Sequence, residues 1–349
     1  MGMTTITSSS ARRETTRRKA ERGTNALHAL CVSAAAIGLT ACVTLIATFI
    51  ACTFSSCDHK DLYFPSSPLA EVRVKFDWSA APGARAEGMS AFFFPEQGGG
   101  PIRCDFSDPA GGTARIPWGD YRVIYLNNDT ETILLRGTES YETFEIYTRP
   151  TSVGETMSTR SEPRGANPGD EPVVLAPEEV WGGSFTGVRL AVGGEQPYTL
   201  VLPVHPKVCT CSFEVRAVEN LKYVSSVGAS FSGMSGSLFM GDGSASGQGS
   251  MIPFPADSDG KSVITGSTFT FGLSAESGAT HVLTLYLILA DGSKFYYRFD
   301  VTRQVNEAPD KRHVRIVLEG LPLPKPIVNG GGFHPSVDDW ETEEIPLGV

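Results

Sequence analysis

Alternation of apolar and charged residues is the dominant pattern of the chain. Val72, Val74, Phe76 and Trp78 alternate with Glu71, Arg73, Lys75 and Asp77. A period of two sorts these sets onto opposite faces of a strand, whereas a helix would scatter them around its circumference. Short runs of strand type follow at 91–94, 102–106, 113–116, 122–126 and 141–148. More come at 188–192, 198–204, 209–218, 224–231, 269–273, 282–289, 295–301 and 314–318. Turn residues separate them. In Pro117-Trp118-Gly119-Asp120-Tyr121, Pro presets φ and Gly allows a tight reversal into the next strand. Strands at this spacing, with almost no helical period, predict an all-β chain built of sandwiches.

The breaks in the pattern set the organisation. Residues 149–172 hold four Pro and three Gly without periodicity, and read as a loop. This loop is either an ordinary surface insertion or a processing segment around Arg160 or Arg164. Residues 241–250 read as a Gly/Ser loop. The stretch after the first 56 residues is too long for one typical sandwich, so two tandem β-sandwich domains are expected. They cover 57–195 and 196–349, with the cut near Glu195. Leu321-Pro322-Leu323-Pro324-Lys325-Pro326 cannot enter a central strand, because each Pro lacks a donor. The tail, 321–349, either folds back onto its own sandwich or adds a strand to another sheet.

The first 56 residues have a different character. Six of the chain's 29 Lys and Arg, but only two of its 39 Asp and Glu, fall there. The basic residues are Arg12, Arg13, Arg17, Arg18, Lys19 and Arg22, and residues 26–54 then carry no charge. A basic start followed by an apolar run is the mark of an export signal, although the run is longer than a cleaved signal core and long enough to span a membrane. Cys31, Cys42, Cys52 and Cys57 cluster in and just after it. A bacterial lipoprotein signal ends in small residues before a cysteine that takes a diacylglyceryl thioether. Leu39-Thr40-Ala41-Cys42 has the best local pattern, but cleavage there leaves an apolar stretch on the mature chain. Ile50-Ala51-Cys52 has bulky Phe49 at the far position. Phe54-Ser55-Ser56-Cys57 sits where apolar character stops and Asp58-His59-Lys60-Asp61 begins. Cys57 is the expected lipid site, with an uncleaved membrane helix as the alternative. The body after the signal is acidic and offers no basic face for nucleic acid.

Several motifs follow in order: Cys57-Asp58-His59-Lys60-Asp61-Leu62, Phe76-Asp77-Trp78, Met89-Ser90, Asn127-Asn128-Asp129-Thr130-Glu131, Gly330-Gly331-Gly332-Phe333 and Val337-Asp338-Asp339-Trp340. This series resembles Bacteroidota surface lipoproteins of the fimbrillin-associated anchor type, the FimB-like and minor-fimbrium anchors. The resemblance implies transthyretin-like (Greek-key) sandwiches. It also implies a palmitate-bearing lipid anchor in the outer membrane, at the cell surface, and fimbrial subunits as partners that join by strand exchange. A surface lipoprotein binding glycans or other host ligands is the rival reading, for which Trp78, Trp118, Trp181 and Trp340 are the stacking candidates.

Constellations that carry chemistry are not found. His59, His205, His281, His313 and His334 form no metal-spaced pair. Cys209 and Cys211 share a strand face, but zinc needs further ligands. A bridge between these two, or from Cys104 to one of them, is open in an oxidising envelope. Asp257-Ser258-Asp259-Gly260 lacks the rest of a calcium loop, and Gly241-Asp242-Gly243 lacks the third glycine of a dinucleotide turn. The expectation is a non-enzymatic protein with no catalytic, cofactor-binding or metal residues and no cofactor.

Overall fold

The computed structural model describes residues 69–158, 163, 170–191, 197–276, 278–326 and 340–344. Cys57, the candidate sites Cys42 and Cys52, and the segment 26–54 lie outside the described residues, as does the cut near Glu195.

The first half supplies β1 (Leu69–Asp77), β2 (Met89–Pro95), β3 (Ile102–Phe106), β4 (Gly111–Pro117) and β5 (Gly119–Asn127). An insertion follows, with β6 (Ile133–Arg136), β7 (Glu145–Thr148) and helix α1 (Val153–Met157). Then come β8 (Trp181–Leu190), β9 (Tyr198–Pro203) and β10 (His205–Pro206). Two sheets form the sandwich, in the orders β4-β1-β9 and β10-β8-β5-β2-β3. Val72, Val74 and Phe76 point inward against Ala91, Phe93, Val123 and Tyr125. The charged residues between them are exposed. Each such buried side chain contributes about 1.5–3 kcal/mol.

The second half has β11 (Cys209–Glu219), β12 (Val224–Ser235), β13 (Ser237–Phe239), β14 (Gly249–Pro255), β15 (Asp257–Ser258) and β16 (Ile264–Thr270). It continues with β17 (Val282–Leu289), β18 (Lys294–Asp300), helix α2 (Thr302–Glu307), β19 (His313–Pro322) and β20 (Glu341–Glu344). Its sheets run β15-β16-β11-β19 and β14-β12-β17-β18-β20.

The two sandwiches repeat one topology. β4-β1-β9 matches β16-β11-β19, and β3-β2-β5-β8 matches β14-β12-β17-β18. In both, the last of these matched strands runs parallel to the first, β9 along β1 and β19 along β11. The other pairings of these strands are antiparallel. This is the all-β, Greek-key sandwich architecture expected from the alternation and the resemblance.

The insertion joins the halves. β7 pairs with β6 on one side and with β13 on the other, making a third sheet. This sheet buries Phe144, Ile146, Leu238 and Met240 against Phe92, Phe94, Ile124 and Leu126 on the outer face of the first sandwich. β2 is therefore covered on both faces and reads as a continuous apolar run, Met89 to Phe94 being buried throughout. Within the segment read as loop, Ser152 caps α1 by accepting from the Glu155 N–H at 3.0 Å. Val153 packs with Met251, Tyr286, Tyr296 and Trp340. Alternation marks neither β6, β13 nor β14, the last of which begins inside the stretch read as a Gly/Ser loop, and β16 starts earlier than the run at 269–273, because Gly, Ser and Thr replace apolar residues along it.

Candidate functional site

Side chains with chemical potential are spent on structure. Cys211 is buried and Cys104 and Cys209 are half-buried, and all three thiols are free. Burial pushes the Cys211 thiol up to about 12 and the Cys104 thiol up to about 11. Thiols this hard to ionise are poor nucleophiles and poor metal ligands at neutral pH. His281 is buried, and its imidazole is harder to protonate because it is desolvated. His313 Nδ1 lies 2.8 Å from Asp310 Oδ2 on the surface, and His205 is an exposed residue of β10. His59 and His334 lie outside the described residues. Among the described residues no three His, Cys, Asp or Glu side chains converge as metal ligands.

The two candidate loops are turns. Asp259 Oδ1 accepts the N–H groups of Lys261, Ser262 and Val263 at 2.8–2.9 Å. The carboxylate that a calcium loop would use therefore caps backbone, and these bonds hold Asp259 below the usual carboxylate range. Asp242 Oδ1 likewise takes the Ser244 N–H at 2.8 Å. The tryptophans do not form a stacking platform. Trp181 and Trp340 are buried, Trp78 and Trp118 half-buried. Trp78 Nε1 donates to the Pro109 carbonyl at 2.8 Å, its ring edge-on to Trp181.

Asn127-Asn128-Asp129 proves to be a staple. Buried Asn127 accepts the Trp181 N–H at 2.8 Å and donates to Asp129 Oδ1 at 2.7 Å, while Asp129 Oδ2 accepts the Glu87 N–H. Beside it, a half-open cavity of about 140 Å³ is lined by Ser90, Phe92, Arg103, Asn128, Ile133 and Leu135. A wider hollow of about 440 Å³ is bordered by Asp170, Glu171 and Glu276. Burial raises the Glu171 carboxyl above its ordinary range, against the Gly233 N–H bond at 3.0 Å that stabilises its charge. Neither hollow assembles an acid, a base and a nucleophile.

What the surface does offer is sheet edges. The C-terminal strand β20 runs parallel to β18 and covers its edge. Just before it, Trp340 packs edge-on to Tyr286 at 5.7 Å. The tail thus folds back onto its own sandwich. On the opposite sheets, β9 and β19 are edge strands, uncovered by any further strand among the described residues. Among those residues, too, no helix is long and apolar enough to cross a membrane.

A family model described as a domain of unknown function, DUF5119, matches residues 56–255. The chain belongs to the DUF5119 family. It is 26% identical, over 333 residues, to a candidate fimbrium anchoring subunit, Fim4B, of Bacteroides ovatus, a match spanning 84% of this chain and 94% of that one. Its fold is that of a candidate adhesin from Bacteroides ovatus, with a TM-score of 0.58 at 24% identity over 74% of this chain and 95% of the other. The fimbrial anchor protein Mfa2 from Porphyromonas gingivalis overlays at a TM-score of 0.45 with 15% identity, over 71% and 90% of the two chains. The resemblance to fimbrillin-associated proteins read from the motifs is therefore met by a relative of that kind along nearly its whole length.

Proposed function

We propose that this DUF5119 chain is a non-enzymatic, lipid-anchored protein of the cell surface, an anchor or accessory subunit of a fimbrium that engages a pilin-like partner by β-strand pairing. The observation that carries this reading is the similarity to Fim4B over 84% of this chain and 94% of that one, rather than over one shared domain. Uncovered sheet edges support it, since their free N–H and C=O groups are ready to pair with an extended segment.

In this reading Cys57 carries the lipid. One acyl chain holds a protein weakly and two or more hold it firmly, at about 0.8 kcal/mol per buried methylene. The anchored chain would stand on the outer membrane with fimbrial subunits as partners and no nucleic acid. The test is intact mass and membrane fractionation of the natively expressed protein beside its Cys57→Ala variant. A mature N-terminus at Cys57 bearing acyl mass, and release of the variant from the membrane, are the expected results. An uncleaved chain without acyl mass, still membrane-bound as the variant, overturns the lipid anchor in favour of a helix over 26–54. Acyl mass on Cys42 or Cys52 moves the site. Co-purification of a fimbrial subunit with the wild-type chain is the matching test of partnership, and its absence rejects the fimbrial role.

A further inference from the structure

The edges of the molecule are not equally protected. β3 places the charges of Arg103 and Asp105 on its edge, β14 carries Pro253 and Pro255, and β20 covers β18. Charge, proline and cover are the usual guards against unwanted strand pairing. The informative contrast is between β9 and β19, equivalent strands of the two sandwiches, each at an edge and each parallel to the first strand of its sandwich.

β19 is capped. The Val317 N–H donates to Gln304 Oε1 at 3.0 Å, and Gln304 Nε2 donates to the Val317 carbonyl at 3.1 Å. A single side-chain amide from α2 thus occupies the donor and the acceptor that a neighbouring strand would use. Arg315, bonded to Glu214 at 2.7 Å, and exposed Glu319 add charge to the same strand.

β9 has no such cap. The Val204 N–H points at the Asp77 carbonyl on the β1 side, at 2.8 Å. By alternation along the strand, Thr199 and Val201 direct their N–H and C=O groups to the open side. No strand among the described residues pairs with them there. Tyr198 to Leu202 includes no charge and no proline, the strand's proline being its last residue, Pro203, and Val201 is 49% exposed. On the same outer face stand exposed Arg73, opposite Thr199, exposed Lys75, opposite Val201, and exposed Arg115 on β4, with exposed Glu71, opposite Arg115, and exposed Asp77 at the two ends of the row. None of the three cations has an ion-pair partner among the described residues. In a chain of net charge −10, Arg73 and Lys75, the two cations beside β9, make a local cationic strip between Glu71 and Asp77. The side chains of Arg73 and Lys75 are rooted about two strand spacings, roughly 10 Å, from where an added strand would lie, and that of Arg115 about three.

We propose that β9 is the edge at which the chain accepts an extended segment of another protein, one whose side chains include acidic residues on the outer face and apolar ones against Val201, and that Gln304 closes the equivalent edge of the second sandwich. The proposal rests on the strand-pairing reading above and assigns it a site.

The test uses the full chain in detergent, with two synthetic peptides as probes, one alternating valine with glutamate and one alternating valine with lysine. The glutamate peptide binds with one site per chain and slows hydrogen exchange at Thr199 and Val201, and the lysine peptide binds at least about tenfold more weakly. Val201→Pro deletes an outward donor without touching the β1 ladder and weakens binding about tenfold. Val201→Glu, which leaves the backbone intact, does the same by setting a like charge against the glutamates of the peptide. Gln304→Ala speeds exchange at Val317 and raises the stoichiometry to two. No binding of either peptide, equal binding of both, protection at other amides, or indifference to both Val201 variants overturns the β9 assignment. A stoichiometry that stays at one in Gln304→Ala overturns the cap. A Val201→Glu chain that loses the peptide but still co-purifies with the fimbrial subunit removes β9 from that contact and leaves the fimbrial role standing. A wild-type chain that binds the peptide and co-purifies with no fimbrial subunit rejects the role and leaves the edge.

Discussion

An ion pair inside the inserted sheet holds the carboxylate that Ser237 of the second half also binds, and removing its cation should weaken the whole body. Glu145 sits in β7 with its side chain only 8% exposed. Arg136, directly across in β6, donates Nε and Nη2 to its two oxygens at 2.5 and 2.7 Å, and the Ser237 hydroxyl of β13 also donates to Oε1. Burial alone would raise the Glu145 carboxyl, but the bonds from Arg136 and Ser237 outweigh it and hold the carboxyl low. In Arg136→Ala the carboxylate stays buried with one hydroxyl partner. Breaking a fully buried pair costs about 3–5 kcal/mol. Arg136 is 55% exposed, so water replaces part of its role, and about 1–3 kcal/mol is expected. The lost stacking of its guanidinium over the Tyr147 ring, at 4.7 Å, adds about 0.5–1 kcal/mol. A carboxyl held low contributes stability above its unfolded value near 4.5, and this is lost as pH falls through the lower folded value. The deficit of the variant should therefore shrink on acidification, because its own Glu145 then protonates readily. Urea unfolding of both chains at pH 7 and pH 4, followed by tryptophan fluorescence, measures this. The double variant Arg136→Ala with Glu145→Leu should recover part of the loss, since no charge is left behind. A deficit under 0.5 kcal/mol, a deficit independent of pH, or a double variant no better than the single would refute the reasoning.

Two further outcomes are open to direct measurement. Asn127→Ala leaves the buried Trp181 N–H without its 2.8 Å acceptor and should cost about 1–3 kcal/mol in chemical denaturation. Asn127→Asp, which keeps an acceptor but faces Asp129, should recover only part. Burial of His281 lowers its folded pKa below 6.5, so its contribution is present above pH 6.5 and fades as pH falls toward the folded value. A His281→Gln chain should show a flatter stability profile across that window, and an unchanged profile would assign the acid sensitivity elsewhere.

Alternation by itself determined much of the body. A strand such as β1, charged on one face, can lie only at the surface of a layer, so its period of two shows both the strand and its inward residues. The motif positions carried the family resemblance because their identities and order survive without coordinates. Local pattern failed where burial came from distant chain. The strand β8 opens with Trp181-Gly182-Gly183, well before the run at 188–192 that alternation marks. A Cβ on Gly182 would lie 2.1 Å from the Tyr125 carbonyl oxygen, and one on Gly183 2.5 Å from the Tyr125 hydroxyl, so the glycines are there for close approach within a sheet. The run 91–94 shows no alternation because Phe93 faces the core of the first sandwich while Phe92 and Phe94 meet the inserted third sheet. Which strand neighbours which is decided by pairings across long stretches of chain, so the repeated topology was invisible in a linear reading. The Gln304 cap was equally hidden. Nothing marks that glutamine in the sequence, and only the packing of α2 beside β19 brings its amide to Val317, because an edge exists only once a sheet has formed.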